Sequence, residues 1–168
     1  MFILIVLTFN IFFMKNKPVK VGDPVPRFEL PDQHGNMVSI ESFFGQPFVI
    51  YFYPKDDTPG CTAEACTFRD QYEDFKEVGA EVIGISADSP ESHRQFAEKH
   101  RLPFILLSDE DNRVRKLFGV PSSMFGLLPG RVTYVVDKEG IVRHLFDSQL
   151  QAQKHVKEAI EFLKQNAG

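Results

Sequence analysis

An almost unbroken apolar run over residues 48–53 (FVIYFY) is the feature that most restricts the fold of this chain. The run follows Pro47 and is rich in β-branched and aromatic residues, as expected for a strand buried on both faces of a sheet. Such strands occur in α/β proteins, where helices cover the sheet. The run therefore predicts the central strand of an α/β domain.

Alternating strand and helix patterns follow that run. Apolar residues at spacings of three and four predict a helix from about Cys61 to near Gly79, and residues 81–87 (EVIGISA) predict a second buried strand. Ser89-Pro90 supplies an N-cap and a first-turn proline for a helix towards His100. The later elements are a strand over 104–107, a short helix over 109–118, two strands over 131–137 and 140–146 joined by a hairpin turn, and a final amphipathic helix over 152–163.

The order of these elements defines the predicted fold class. A small hairpin over residues 19–40 comes first, followed by β-α-β-α-β-α, a second β-hairpin and a last helix. The 168 residues, 43% hydrophobic and 25% charged, suffice for one domain core. We predict an α/β fold in which helices flank a mixed central sheet, with an N-terminal β-hairpin extension.

Residues 1–14 (MFILIVLTFNIFFM) form an apolar extension ahead of Lys15. The segment is short for a membrane span, which needs about 20 apolar residues, and it lacks the basic region and cleavage site of a secretory signal. Three interpretations remain: Met14 is the true first residue, the segment is a poorly formed signal or anchor, or it packs on the domain. We predict an extension over 1–17, a domain over 18–168 and a cytoplasmic location, with membrane association or export as the alternative.

Charge and motif content argue against several functions. The 19 basic and 23 acidic residues give a net charge of −4 without a basic stripe, so nucleic acid is not an expected partner. Cysteine and histidine spacings match no metal motif, and no glycine-rich phosphate loop occurs, so no cofactor or metal is predicted. His93 and His100, seven residues apart on a predicted helix, are interpreted as solvated surface residues.

Cys61 lies where the predicted central strand gives way to a helix. Functional groups of open α/β sheets gather at such junctions, and the positive end of a helix dipole favours a thiolate. A buried, inert cysteine is the alternative. The proline- and glycine-containing loop over 54–60, the helix start and the nearby Cys66 favour a nucleophilic role for Cys61.

Cys66, the second of two cysteines in the chain, follows five residues after Cys61. In an intact helix that spacing places the two Cα atoms roughly 8 to 9 Å apart. A disulfide tolerates at most about 7 Å. A bond between these two cysteines would therefore require the first turns of the helix to unwind.

The pattern Pro54-x-x-x-Thr58-x-x-Cys61 resembles the active-site motif of the peroxiredoxins. The sequence CTAEAC over 61–66 is similar to the Q-type, or bacterioferritin comigratory protein, subfamily, and FGLLPGR over 125–131 resembles its cyanobacterial and plastid branch. The likeness extends over about residues 21–163. It implies a thioredoxin-like fold with Cys61 as the peroxidatic and Cys66 as the resolving cysteine.

The resemblance also implies roles for three further residues. Thr58 would direct its hydroxyl at the thiolate and the peroxide, Arg131 would bring a guanidinium to the same place, and Pro54 would shield the pocket. Glu64 is interpreted either as part of this hydrogen-bond network or as an acidic residue favoured near a helix N-terminus, and it is left outside the catalytic set.

The function implied by the resemblance is a thiol peroxidase. Because resolution within one chain removes the chemical need for a dimer, we expect a monomer. Cys61 would reduce hydrogen peroxide or an organic hydroperoxide and become sulfenic acid, Cys66 would form the intrachain disulfide, and thioredoxin or a similar dithiol would reduce it, in the service of antioxidant defence. Two alternatives stay open. One is a thioredoxin-like disulfide reductase, although the C-x-x-C motif is missing, and the other is a redox-sensing binding module.

Overall fold

The computed structural model describes residues 17–123 and 125–167 of the chain. Apart from Lys17, the predicted apolar extension lies outside the described residues, so its three interpretations stay open. The strands are β1 (Glu29–Pro31), β2 (Met37–Ser39), β3 (Phe48–Phe52), β4 (Glu81–Ser86), β5 (Ile105–Ser108), β6 (Ser122–Ser123), β7 (Leu128–Pro129), β8 (Val132–Val136) and β9 (Val142–Asp147). The helices are α1 (Pro59–Asp70), α2 (Tyr72–Glu77), α3 (Pro90–His100), α4 (Arg113–Phe118) and α5 (Ala152–Asn166).

The main sheet has the strand order β5-β4-β3-β8-β9. The three strands β5, β4 and β3 run parallel, whereas β8 and β9 are antiparallel to their neighbours. Every residue of β3 is buried, so the predicted central strand and mixed sheet are confirmed. The front hairpin is confirmed as well, because β1 pairs antiparallel with β2.

Alternate residues of β3 supply the two cores of the domain. Val49 and Tyr51 pack in a cluster with residues of α1, α2, α3 and α5. Phe48, Ile50 and Phe52 pack in a second cluster with α4 and with the segment that precedes β3. Because successive strand residues point to opposite faces, one apolar run anchors both layers.

Two features differ from the prediction. The helix expected from Cys61 to Gly79 begins two residues earlier, at Pro59, and breaks at Gln71, whose φ of −103° and ψ of 10° are not helical. A proline fits the first turn of a helix because its missing N–H would have no partner there. The small β6–β7 hairpin was not predicted, because two-residue strands carry no period. No helix among the described residues has the length and apolar character needed to cross a membrane.

Candidate active site

The predicted active site lies where β3 leads into α1. Thr58 is the N-cap residue of α1, and its carbonyl accepts the first helical hydrogen bond, from Thr62 N at 2.9 Å. Cys61 is the third residue of the helix and is 1% exposed. Its sulfur therefore lies within the first turn, where helix N–H groups and the dipole favour negative charge.

Arg131, directly before β8, faces this sulfur. Its Nη2 lies 3.4 Å from Cys61 Sγ, its Nη1 donates to Glu64 Oε1 at 2.9 Å, and its Nε donates to the Gln149 carbonyl at 3.3 Å. Burial lowers the pKa of Arg131, but the neighbouring Glu64 and Cys61 outweigh that effect and raise the pKa above its ordinary value. The guanidinium is thus a fixed cation beside the thiol.

The loop before Cys61 carries the other two predicted residues. Thr58 Oγ1 donates to the Lys55 carbonyl at 2.8 Å, so the oxygen keeps its lone pairs for an incoming donor. Pro54 is half-buried in the same loop. Gly60 allows the close approach of Arg131, since a Cβ there would lie 3.2 Å from Nη2. Among the described contacts, none joins Thr58 or Pro54 directly to the sulfur.

Cys66 lies on the same helix as Cys61, and its side chain is partly exposed. Both cysteines are free thiols. Because α1 is continuous from Pro59 to Asp70, the two thiols are held apart as the spacing predicted. A disulfide between them requires this part of α1 to open.

A buried acid lies behind Arg131. Glu64 is fully buried, and burial raises its pKa to about 8, although Arg131 partly opposes the shift. His155 on α5, also fully buried, places Nδ1 3.9 Å from Glu64 Oε2. Burial lowers the pKa of His155 to about 4. Glu64 was predicted to lie outside the catalytic set, and no local sequence pattern identifies His155, which lies in a helix interior.

Arg115 on α4 is a second buried arginine that the sequence did not reveal. Its Nη1 donates to the Gly130 carbonyl at 2.7 Å and its Nη2 donates to the Tyr53 carbonyl at 2.9 Å. Burial lowers its pKa to about 10. Because one bond reaches the residue before Arg131 and the other reaches the loop before Cys61, Arg115 holds the two halves of the site together.

The prediction that His93 is a solvated surface residue is wrong. His93 is fully buried, with Nδ1 2.8 Å from Asp56 Oδ2 and Nε2 3.1 Å from the Leu107 carbonyl. Tyr53 and Ser92 also donate to Asp56. These buried partners satisfy the imidazole, whereas His100 remains partly exposed.

The residues around Asp56 include side chains of the types that bind metal ions. Asp56, Asp88 and His93 place one potential ligand atom each within 4.8 Å of one another. Asp88 Oδ2 already accepts from the Asp56 backbone N–H at 2.9 Å and from the Ser86 hydroxyl. Since hydrogen bonds already engage these groups, the cluster fits an anchor that fastens the loop before Cys61 to the start of α3.

Peroxide reduction by a thiol requires a nucleophilic sulfur that is shielded from bulk solvent and faces a cation able to hold peroxide oxygens. The arrangement of Cys61 and Arg131 meets these requirements on an α/β sheet of the thioredoxin type. Fold and site together define a thiol peroxidase.

Comparison with known proteins agrees with this class. A family model described as the AhpC/TSA family matches residues 21–145. The chain is 57% identical over 146 residues to "Peroxiredoxin Q, chloroplastic" of Sedum lineare, covering 87% of this chain and 78% of that protein. It is 54% identical over 155 residues to the protein of the same name from Populus jackii, covering 92% and 71%.

Solved structures show the same relationship. Peroxidoxin BcpB from Mycobacterium tuberculosis matches with a TM-score of 0.82 at 38% identity, covering 88% of this chain and 98% of that one. Peroxiredoxin Q from Xanthomonas campestris matches with a TM-score of 0.77 at 32% identity, covering 84% and 92%. The chain belongs to the AhpC/TSA family.

The resemblance to the Q-type peroxiredoxins, with its plastid-like branch, is therefore confirmed, as are the thioredoxin-like fold and the peroxidase activity. The comparisons lend no support to the disulfide reductase or to the redox-sensing module. The roles of the individual site residues stay predictions.

Proposed function

We propose that Cys61 and Cys66 carry out peroxide reduction as a peroxidatic and resolving pair within one chain. The observation that carries this proposal is the 3.4 Å contact between Arg131 Nη2 and the nearly buried Cys61 Sγ. A cation at that distance stabilises the thiolate and also offers hydrogen-bond donors to a peroxide held beside the sulfur.

In the first step, Cys61 Sγ attacks one peroxide oxygen and the O–O bond breaks. The sulfur is oxidised to sulfenic acid, and the second oxygen leaves with the bonding pair and takes a proton, which gives water from hydrogen peroxide or an alcohol from an organic hydroperoxide. Arg131 and the N–H groups of the first turn of α1 face the charge that develops. Thr58 Oγ1, whose proton is donated to Lys55, accepts a hydrogen bond from the peroxide hydroxyl.

In the second step, the Cys66 thiol attacks the Cys61 sulfur, a disulfide forms and water leaves. Because α1 holds the two thiols apart, the first turns of the helix open before this bond forms. An external dithiol then reduces the disulfide and returns both thiols. Relatives named Peroxiredoxin Q favour a peroxide substrate and a thioredoxin-type reductant for this cycle.

Intact mass separates these steps in one experiment. The reduced protein is freed of reductant, given one equivalent of hydrogen peroxide and quenched within seconds. We expect a loss of about two mass units, with peptide mapping to Cys61 and Cys66. In Cys66→Ser the same treatment is expected to stop at the sulfenic acid, a gain of about 16 mass units. An unchanged mass in both proteins would contradict the proposal.

The reductant, the oligomeric state and the location of the protein each need a separate measurement. Thioredoxin as the specific partner is tested by turnover with a purified thioredoxin system, and the monomer is tested by sedimentation of the reduced and oxidised chain. The relatives from Sedum lineare and Populus jackii are named chloroplastic, which favours a plastid-type setting over the cytoplasm predicted from the residues after Met14. Imaging of a tagged full chain decides between these locations.

A further inference from the structure

Glu64 is the buried acid of the active-site network that the proposed steps do not use. Its Oε1 accepts from Arg131 Nη1 at 2.9 Å. Its other oxygen, Oε2, is buried and has no hydrogen-bond partner among the described residues. A buried carboxylate oxygen without a donor is costly, so the group that faces Oε2 determines which protonation state is stable.

The group that faces Oε2 is an acceptor. His155 Nε2 lies 2.8 Å from the Ser148 carbonyl, which can only accept, so Nε2 carries a proton. Burial lowers the pKa of His155 to about 4, so the ring is neutral near pH 7 and Nδ1 has a lone pair. The Thr133 hydroxyl, 2.8 Å away, therefore donates to Nδ1. Nδ1 thus offers no proton to Glu64.

Thr133 occupies the one lone pair of Nδ1, so an ionised Oε2 would be a buried charge 3.9 Å from a nitrogen that offers it no proton, whereas a proton on Oε2 removes that charge. We propose that Glu64 holds a proton on Oε2 in the reduced enzyme, so that the single positive charge of Arg131 is left to the Cys61 sulfur. Glu64 is then a positioning residue that acts through Arg131, and His155 keeps it neutral. The consequence for reactivity rests on the proposed role of Cys61.

The other charged and titratable groups around the site agree with this arrangement. Burial raises the pKa of Tyr51 well above its ordinary value, so its buried hydroxyl stays neutral. Arg115 is occupied by two backbone carbonyls. Two anions beside Arg131 would divide its charge between them, and the hydrogen bonds of Arg115 go to neither anion. The pKa of Glu64, about 8, places its ionisation in the alkaline range.

Infrared difference spectroscopy tests the proton directly, without any need for peroxidase activity. The spectrum of reduced wild type minus Glu64→Gln near pH 6.5 is expected to contain the C=O band of a protonated carboxyl group. Glu91→Gln is the matched control, because Glu91 also pairs with an arginine, Arg94, but lies on the surface. Its difference spectrum should contain carboxylate bands alone. Carboxylate bands in place of the C=O band for Glu64→Gln would overturn the proposal.

The local charge at Cys61 provides a second readout. We compare the alkylation rate with anionic iodoacetate to that with neutral iodoacetamide, because the ratio cancels the thiolate fraction. In wild type the ratio should fall as Glu64 ionises around its pKa of about 8. The fall should be absent in Glu64→Gln and retained in Glu91→Gln. A ratio in wild type that does not change with pH, or the same fall in Glu64→Gln, would contradict the proposal.

The two tests also separate this inference from the proposed function. If the protein consumed no peroxide, the proposed function would fail, but the infrared and alkylation results would still report the state of Glu64. If Glu64→Gln does not fold, the pH titration of the wild-type carboxyl band decides. Loss of the C=O band centred near pH 8 supports the proposal, and its absence at pH 6.5 overturns it.

Discussion

Arg131 Nη2 lies 3.4 Å from Cys61 Sγ although 70 residues separate them in the chain. The contact follows from strand pairing, because Phe52 at the end of β3 is opposite Val132 at the start of antiparallel β8. The residue before β8 therefore lies beside the loop that leads into α1. A cation placed by the sheet and a thiol placed by a helix start therefore meet at the end of β3.

Replacing Arg131 by alanine removes the positive charge that faces the sulfur. We expect the reaction of Cys61 with peroxide to slow by roughly 100-fold, the usual effect of losing one well-placed donor, and the pH midpoint of Cys61 alkylation to move upward. Stopped-flow peroxide kinetics and alkylation across pH measure both effects. Arg143→Ala is the control, since Arg143 pairs with Asp137 away from the site. An unchanged alkylation midpoint in Arg131→Ala would count against the assignment.

Replacing either cysteine should affect peroxide reduction in a different way. Cys61→Ser is expected to abolish peroxide reduction, because no other thiol faces Arg131 among the described contacts. Cys66→Ser should react once with peroxide and then stop as sulfenic acid, because the resolving thiol is missing. Peroxide consumption with thioredoxin present measures both. Undiminished turnover by Cys66→Ser would refute its resolving role.

The local parts of this structure were the parts open to prediction. The buried pattern of β3, the Ser89-Pro90 start of α3 and the helix start near Cys61 each depend on a few neighbouring residues, and the structure confirms them. The environment of Glu64 depends on how α5 and β8 pack around α1, and no local hydrophobic pattern specifies that packing. The surface position predicted for His93 was wrong for the same reason. Only the fold brings His93 to Asp56.

The buried His93 and the partly exposed His100 make a matched pair on α3. Loss of His93 leaves the buried Asp56 without its 2.8 Å hydrogen-bond partner on the ring and removes a fully buried side chain, so His93→Ala should lower the free energy of unfolding by about 3 kcal/mol. His100 meets Asp57 at 3.3 Å near the surface, and His100→Ala should cost at most about 1 kcal/mol. Urea denaturation compares the two. Equal losses would show that the Asp56 cluster does not anchor the loop.

The free energy of unfolding depends on pH through Glu64 and His155. The pKa of Glu64 is about 8 in the folded chain against 4.5 as the ordinary value, so the folded state binds one more proton than the unfolded state between these values. The pKa of His155 is about 4 against 6.5, so between those values the unfolded state binds one more proton. The two effects cancel between about pH 4.5 and 6.5, and above that range Glu64 acts alone.

The free energy of unfolding is therefore expected to fall by about 2 kcal/mol from pH 6.5 to pH 8, at about 1.36 kcal/mol for each pH unit. Urea denaturation at closely spaced pH values measures the slope. The Gln side chain in Glu64→Gln cannot ionise, so the free energy of unfolding of this variant should lack the fall of about 2 kcal/mol between pH 6.5 and pH 8. Glu91→Gln should keep the wild-type slope. Parallel curves for wild type and Glu64→Gln would mean that Glu64 is already ionised at pH 6.5, and the charge of Arg131 would then be divided between two anions.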